Sequence, residues 1–244
     1  MRFTKMQGCG NDFIVVEDPV ALDAARVRAL CDRRRGIGAD GVLVIGAPEA
    51  GRVWPVAIHN ADGSIGESCG NGARCVARYL LDRHGGDSVT LRFAGGEVRG
   101  TRHGAGIAIS LASPSNPEPI TIDGAGAYRV RVGNPHIVLW NADPERSDLT
   151  AIARRVRAAG GDANVELARI DDAEHIRLRV DERGVGETLA CGTGACATVA
   201  AALRERRMAP TVTVRVPGGD LLVRHGATTY ELAGPAEYAF EGTL

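Results

Sequence analysis

Apolar residues along this chain mostly alternate with polar ones or fall in short β-branched runs, and helical spacing is confined to four stretches. In the first half, Asp12–Val16, Gly41–Ile45, Val53–His59, Ser88–Phe93 and Ile107–Leu111 read as strands. In the second, Tyr128–Val132, His136–Trp140, Asn164–Ile170, His175–Val180, Thr211–Val216 and Thr229–Leu232 do the same. Helices are predicted over about Val20–Arg34 and Gly72–His84, then about Ser147–Ala159 and Gly194–Met208. Strands outnumber helices and short glycine turns join many of them, which predicts an α+β fold with mainly antiparallel sheet. The Pro-rich stretch from Ser113 to Pro119 is predicted to lack regular structure and to link two halves. Residues after Gly234 have no counterpart at the end of the first half and are expected to cross back and complete its sheet.

The pattern repeats. Cys69-Gly70-Asn71-Gly72-Ala73 and Cys191-Gly192-Thr193-Gly194-Ala195 lie 122 positions apart (191 − 69), each opening onto a predicted helix. Gly10-Asn11-Asp12 is echoed by Gly133-Asn134-Pro135, Gly38-Ala39-Asp40-Gly41 by Gly161-Asp162-Ala163-Asn164, and Gly95-Gly96 by Gly218-Gly219. Asn60 stands nine residues before Cys69, and Glu182 nine before Cys191. Glycine turns held in so constant a register mark a tandem duplication. The expected halves are residues 1–113, with 235–244 returning to them, and residues 120–234.

Composition narrows the function. A chain of 244 residues, 44% hydrophobic, can bury a core in two small domains. Basic and acidic residues nearly balance, 29 against 30, and no basic patch argues for nucleic acid. No apolar run reaches the roughly 18 residues of a membrane span, and the first residues lack the apolar stretch of a signal peptide. A cytoplasmic, reducing location is therefore expected, with the six cysteines as thiols. Their spacing contains no Cys-x-x-Cys pair, so no metal site is expected. The lone lysine, Lys5, lies outside any recognisable pyridoxal-binding sequence.

The repeated cysteine carries the candidate chemistry. A helix start presents unpaired amides with partial positive charge, so a thiol there is expected to have a lowered pKa and to exchange protons near neutrality. Flanking glycines leave those amides open to a carboxylate, whose charge they stabilise when an α-proton leaves. Two such elements suit inversion of a carbon stereocentre, one thiolate removing the α-proton and the other thiol returning one to the opposite face, without a cofactor. A cysteine near a helix start is more often a small buried hydrophobe; its duplication with the flanking glycines favours the functional reading. Cys31, Cys75 and Cys196 read as core, while Cys9, between two glycines beside Asn11, is open to either reading.

Several motifs together point to one family. Lys5-Met6-Gln7-Gly8-Cys9-Gly10-Asn11-Asp12-Phe13, Gly36-Ile37-Gly38-Ala39-Asp40-Gly41, Asn60-Ala61-Asp62-Gly63-Ser64, Cys69-Gly70-Asn71-Gly72, Gly133-Asn134-Pro135-His136, Asn164-Val165-Glu166, Glu182-Arg183-Gly184 and the run from Gly186-Glu187-Thr188 into Cys191 resemble diaminopimelate epimerase, over nearly the whole chain and in order. Gln7 and Ile65 depart from the family's usual His and acidic residue. The resemblance implies two pseudo-symmetric halves, each mainly antiparallel sheet wrapped around a central helix, with the active site in the cleft between them. It implies cofactor-independent interconversion of LL- and meso-diaminopimelate, a small diamino-dicarboxylic acid, in lysine and peptidoglycan precursor biosynthesis, by an enzyme that is commonly a homodimer. Carried over residue by residue, Cys69 and Cys191 are the acid/base thiols. Gly70, Asn71, Gly192 and Thr193 hold the reacting carboxylate and amine. Asn11, Asn60, Asn134, Asn164, Glu182 and Arg183 hold the remaining groups, and His136 either tunes the thiols or makes a structural hydrogen bond. Three alternatives stay open: the same fold acting on another amino acid, an isomerase of the phenazine-biosynthesis kind, and a non-catalytic amino-acid-binding thiol switch.

Overall fold

The structure is a computed structural model that describes residues 1–17, 21–49, 52–226 and 229–243. Its contacts divide it into two compact units, Met1–Ile109 with Gly234–Leu244, and Ser110–Ala233. The fold is mixed α+β, mostly sheet, with four helices among the described residues. None of these helices is long and apolar enough to cross a membrane.

The first unit runs β1 (Arg2–Gly8), β2 (Asn11–Val16), α1 (Ala24–Cys31), β3 (Gly41–Ile45), β4 (Val53–Asn60), β5 (Ile65–Gly66), α2 (Gly70–His84), β6 (Ser88–Phe93), β7 (Gly96–His103) and β8 (Gly106–Leu111). Strand β2 is antiparallel to β1 and parallel to β3, β4 is antiparallel to β3 and parallel to β6, and β7 is antiparallel to β6 and β8. The second unit runs β9 (Glu118–Ile122), β10 (Ala125–Val132), β11 (Asn134–Trp140), α3 (Leu149–Ala158), β12 (Asn164–Ile170), β13 (His175–Glu182), β14 (Gly186–Thr188), α4 (Gly192–Glu205), β15 (Thr211–Val216), β16 (Gly219–His225) and β17 (Tyr230–Gly234). From β10 to β17 its ladder repeats the sequence of parallel and antiparallel pairings of β1 to β8.

The last strand, β18 (Glu237–Thr243), lies antiparallel on the outer side of β1. Its counterpart is β9, which lies antiparallel on β10 in the same way. Two expectations are thereby corrected. The segment after Gly234 does have an equivalent, and the Pro-rich stretch is not all linker: Glu118 and Pro119 open β9, while Ser115 exchanges two hydrogen bonds with Arg131. Pro119 is tolerated because an outermost strand leaves one side of its backbone unpaired.

Each sheet wraps a central helix. Helix α2 packs on β1, β2, β3, β6 and β7, and α4 on β10, β11, β12, β13 and β16. The outer face of β2 and β3 is covered by α1 through Val27, Leu30 and Cys31, and α3 covers β11 and β12 through Leu149, Ala153 and Val156. Strands buried on both faces read as continuous apolar runs, as Gly41–Ile45 does. Helix α1 is shorter than the periodicity predicts. The start placed at Val20 lies outside the described residues, as does Leu244 at the end of the expected returning segment. At the other end the Asp32 carboxylate takes the amides of Arg34 and Arg35, and Ile37 and Gly38 fold back onto the Leu30 carbonyl.

Candidate active site

The four helices differ in how they begin. Helices α1 and α3 start at Asp23 and Asp148, whose carboxylates accept the amides of Arg26 and Ala151 at 2.7 and 2.9 Å. Helices α2 and α4 start at Cys69 and Cys191, both extended in the backbone, and each Sγ accepts an amide, of Gly72 and of Gly194, at 3.4 Å. Sulfur is a poor cap beside Asp, Asn or Ser. A thiol at this position in both units, where the other helices use the stronger oxygen, is not explained by helix stability.

Around Cys69 the groups are amides and cations. Cys9 and Gly10 form a two-residue hairpin turn between β1 and β2, both with positive φ (54° and 78°), closing the pair Gly8–Asn11. This sets Asn11 at the start of β2. Its Nδ2 donates to Asp40 Oδ2 at 2.7 Å, and its Oδ1 accepts from Asn71 Nδ2 at 3.3 Å and from Cys69 Sγ at 3.8 Å. Asn71 Oδ1 accepts from Nη2 of Arg74 at 2.8 Å. Arg74 is fully buried; it also reaches the Pro235 carbonyl and Cys9 Sγ. Below Asn11, Arg33 bridges Asp12 and Asp40, and Lys5 pairs with Asp12. Burial opposes the charge of Asp12, but hydrogen bonds from Arg33 and Lys5 outweigh it and hold the carboxyl well below the usual range. Asn60, exposed at the end of β4, turns its amide to Ser64 Oγ at 2.9 Å.

Around Cys191 the groups are carboxylates. The thiol is 6% exposed, and Thr193 Oγ1 lies 3.4 Å from it. Burial pushes this thiol well above its ordinary value, and Glu182 and Glu166 push it the same way, against weaker help from Thr193 and the Gly194 amide. The lowered pKa expected at this helix start is thus reversed, because desolvation and two nearby negative charges exceed the effect of the amides. Burial raises Glu182 as well, and Glu166 adds to it, although Thr188 Oγ1 donates to Glu182 Oε1 at 2.6 Å.

His136 and Glu166 are both completely buried. Nδ1 of His136 lies 2.6 Å from Glu166 Oε1, and Nε2 lies 3.0 Å from Oδ1 of the exposed Asn134. Asn164 accepts the Arg183 amide at 2.9 Å, while its Nδ2 is buried without a partner. Arg183 points outward and pairs with Asp162 at 2.9 Å.

The structure therefore gathers Asn11, Asn71 and Cys69 in the first unit. In the second it gathers Asn134 with His136, Asn164 with Arg183, and Glu182 and Thr193 with Cys191. Four participants carry no sequence assignment: Asp40, Arg74, Glu166 and Thr188. Glu166 and His136 leave a readable signal, being polar residues inside apolar strands. Strand pairing confirms the correspondence: Phe13 pairs with Gly41 across β2 and β3, and His136 with Asn164 across β11 and β12. Two residues further along each strand, Leu43 stands where the second unit has Glu166. Cys31, Cys75 and Cys196 are buried, and burial takes the last two to about 12.

Duplicated units of this topology, each opening its central helix on a cysteine, define an isomerase of the racemase and epimerase class. The diaminopimelate epimerase family profile matches residues 3–111 and 128–237, and the chain belongs to that family. A diaminopimelate epimerase of Azoarcus sp. is 36% identical over 272 residues, covering 100% of this chain and 98% of the relative. An O-ureido-serine racemase of Streptomyces lavendulae is 37% identical over 275 residues, covering 100% and 95%. A solved phenazine biosynthesis protein of the PhzF family from Bacillus anthracis shares the fold, with a TM-score of 0.78 at 14% identity, covering 99% and 98%.

Proposed function

We propose that this protein interconverts LL- and meso-diaminopimelate with Cys69 and Cys191 as the two acid/base thiols, one removing the α-proton and the other supplying its own, as a cytoplasmic, cofactor-independent enzyme of lysine and peptidoglycan precursor synthesis that works as a homodimer. The observation that carries the reading is the paired thiol cap, Cys69 on α2 and Cys191 on α4, beside two helices capped by Asp. In one turnover a thiolate takes the α-proton, and the electron pair left on carbon spreads onto the α-carboxylate. The other thiol then donates its proton to the opposite face. The enzyme ends with its two sulfurs in exchanged protonation states, ready for the reverse reaction.

The amides that follow each cysteine, Gly70-Asn71 and Gly192-Thr193, supply donors where carboxylate charge develops. The partnerless Nδ2 of Asn164 is a donor awaiting an acceptor, since a buried amide without a hydrogen bond costs about 1–3 kcal/mol. Arg183 offers a carboxylate a fork of donors, and Glu182 offers an ammonium an acceptor, which suits the unreactive end of a substrate with an amino-acid group at each end. Asn60 and Asn134 complete the polar lining in this reading, and His136 acts on the thiols through its surroundings.

Proton NMR of LL-diaminopimelate with reduced protein in D₂O tests the proposal. Loss of one α-proton signal with growth of the meso isomer is the expected result. The relative from Streptomyces lavendulae motivates a second reading, racemisation of a ureido amino acid. Exchange with O-ureido-L-serine and none with diaminopimelate would replace the first reading by that one. Exchange with neither would leave the thiol switch.

A further inference from the structure

We propose that Asp40 and Arg74 are positioning residues that fix the amide orientation of Asn11, so that its carbonyl oxygen, not its NH₂, faces the Cys69 thiol. Four side chains form one directed line: Asp40 Oδ2, Asn11, Asn71 and Arg74 Nη2. A carboxylate only accepts and a guanidinium only donates, whereas an asparagine amide can turn over and do either. With Asp40 at one end, Asn11 must present Nδ2 to it. With Arg74 at the other, Asn71 must present Oδ1 to it and Nδ2 to Asn11. Both ends demand the same orientation of Asn11, which leaves Oδ1 as the atom 3.8 Å from Cys69 Sγ. An acceptor there favours the S–H form, so the thiol proton has a fixed direction until substrate arrives. The second unit has no such line: at the corresponding positions, Ala163 replaces Asp40, Thr193 replaces Asn71 and Cys196 replaces Arg74.

The inference builds on the acid/base role proposed for Cys69, but its test does not need turnover. Cys69 is the one half-buried cysteine, the other five being buried. Its alkylation by iodoacetamide, followed by peptide mass spectrometry across pH, reports the thiol midpoint separately from access to it. In Asp40→Asn the end that only accepts is lost and the orientation rests on Arg74 through Asn71 alone, so Asn11 turns over in a fraction of the molecules and its NH₂ donates to the thiolate there. The midpoint is expected to fall, with alkylation at neutral pH rising roughly threefold to tenfold while the plateau at high pH stays unchanged. Asp40→Glu, which keeps the carboxylate, should restore the original midpoint.

Other charged or titratable groups around the line are Lys5 on β1, Asp12 on β2, Cys31 at the end of α1, Arg33 after it, Cys9 in the turn, Cys75 on α2, and Glu237 on β18, which holds Gln7. A purely through-space effect of losing the Asp40 charge fades in 0.5 M salt, where the screening length is about 4 Å; the orientation effect persists. A midpoint that stays put in Asp40→Asn, or shifts only at low salt, overturns the proposal. A change in plateau alone does so too, since it marks loosened packing. If the midpoint moves while neither substrate exchanges an α-proton in the wild-type protein, the lock stands and the epimerase reading fails.

Discussion

The two units share a topology and a cysteine cap, yet their sulfurs have opposite neighbours. Cys69 is half-buried among two asparagines, with a buried arginine behind them. Cys191 is buried beside two glutamates, one of them paired with a histidine in the core. The backbone of a duplicated unit is kept by pairing and packing, which tolerate any residues that fill the space. Charge and proton affinity depend on a few side chains, and those have diverged. In the proposed reaction the two thiols would serve mirror-related protons at one end of a larger substrate, which is one symmetric task and one asymmetric one. The shared cap fits the first, and the divergent surroundings fit the second.

The harshest test of what the two sites share is removal of either sulfur. Cys69→Ala and Cys191→Ala should each lower the rate of α-proton exchange by about 10²–10⁴-fold, the range of a general acid or base. A large loss in only one variant would break the pairing.

Their difference can be tested by rebuilding one site in the image of the other. Glu166→Leu places in the second unit the residue that the first has at Leu43, and leaves the imidazole of His136 buried without its carboxylate. It should lower unfolding stability by about 3 kcal/mol. Adding His136→Phe, the counterpart of Phe13, should recover most of that loss, to within about 1 kcal/mol of the parent. Urea denaturation of the three proteins decides the matter. A double variant no better than the single would mean that the pair is not what keeps that space polar.

A smaller contrast concerns the third residue after each cysteine. A Cβ on Gly194 would meet Glu166 Oε1 at 2.7 Å, whereas a Cβ on Gly72 would meet the Leu43 methyls at 3.2 and 3.3 Å. Gly194→Ala should therefore destabilise by about 2 kcal/mol and Gly72→Ala by about half as much, as thermal unfolding would show.

Smallest is the response to pH, which has opposite signs in the two units. Asp12 is held low, so its contribution is present above about pH 4 and fades as pH falls. Glu182 and Cys191 are held high, so their contributions are complete below about pH 4 and pH 9 respectively and fade as pH rises. Glu182→Gln should flatten the curve from about pH 4 upward by about 1 kcal/mol or less, measured as the denaturant midpoint against pH. A curve of unchanged slope would remove Glu182 from the account.

Much of this was legible in the chain because repetition is a strong signal. The doubled Cys-Gly turn, the central helices behind it and most inner strands follow from spacing alone. Strands β1, β5, β7, β9, β14 and β16 did not stand out. Gly96–His103 has few apolar residues and becomes a strand by hairpin pairing with β6, and the returning Glu237–Thr243 is set on β1 and tied to α2 through Asp82 and Arg83. The direction of the Cys191 shift also escaped sequence reasoning, which sees the helix start and not the depth of burial or the distance to Glu166. Arg74 sits among apolar residues of α2, and only the folded chain shows that its partners are Asn71 and a carbonyl near the far end.

That last contact bears on the order of assembly during synthesis. No strand that the second unit pairs with is made after Gly234, so it can close as soon as residues 110–233 have left the ribosome. The first unit is translated earlier but waits, with β1 unpaired on its outer side and Arg74 lacking the Pro235 carbonyl, until the segment from Gly234 onward emerges. The half made first is thus finished last, and Cys69 reaches its final surroundings only after Cys191 already has its own.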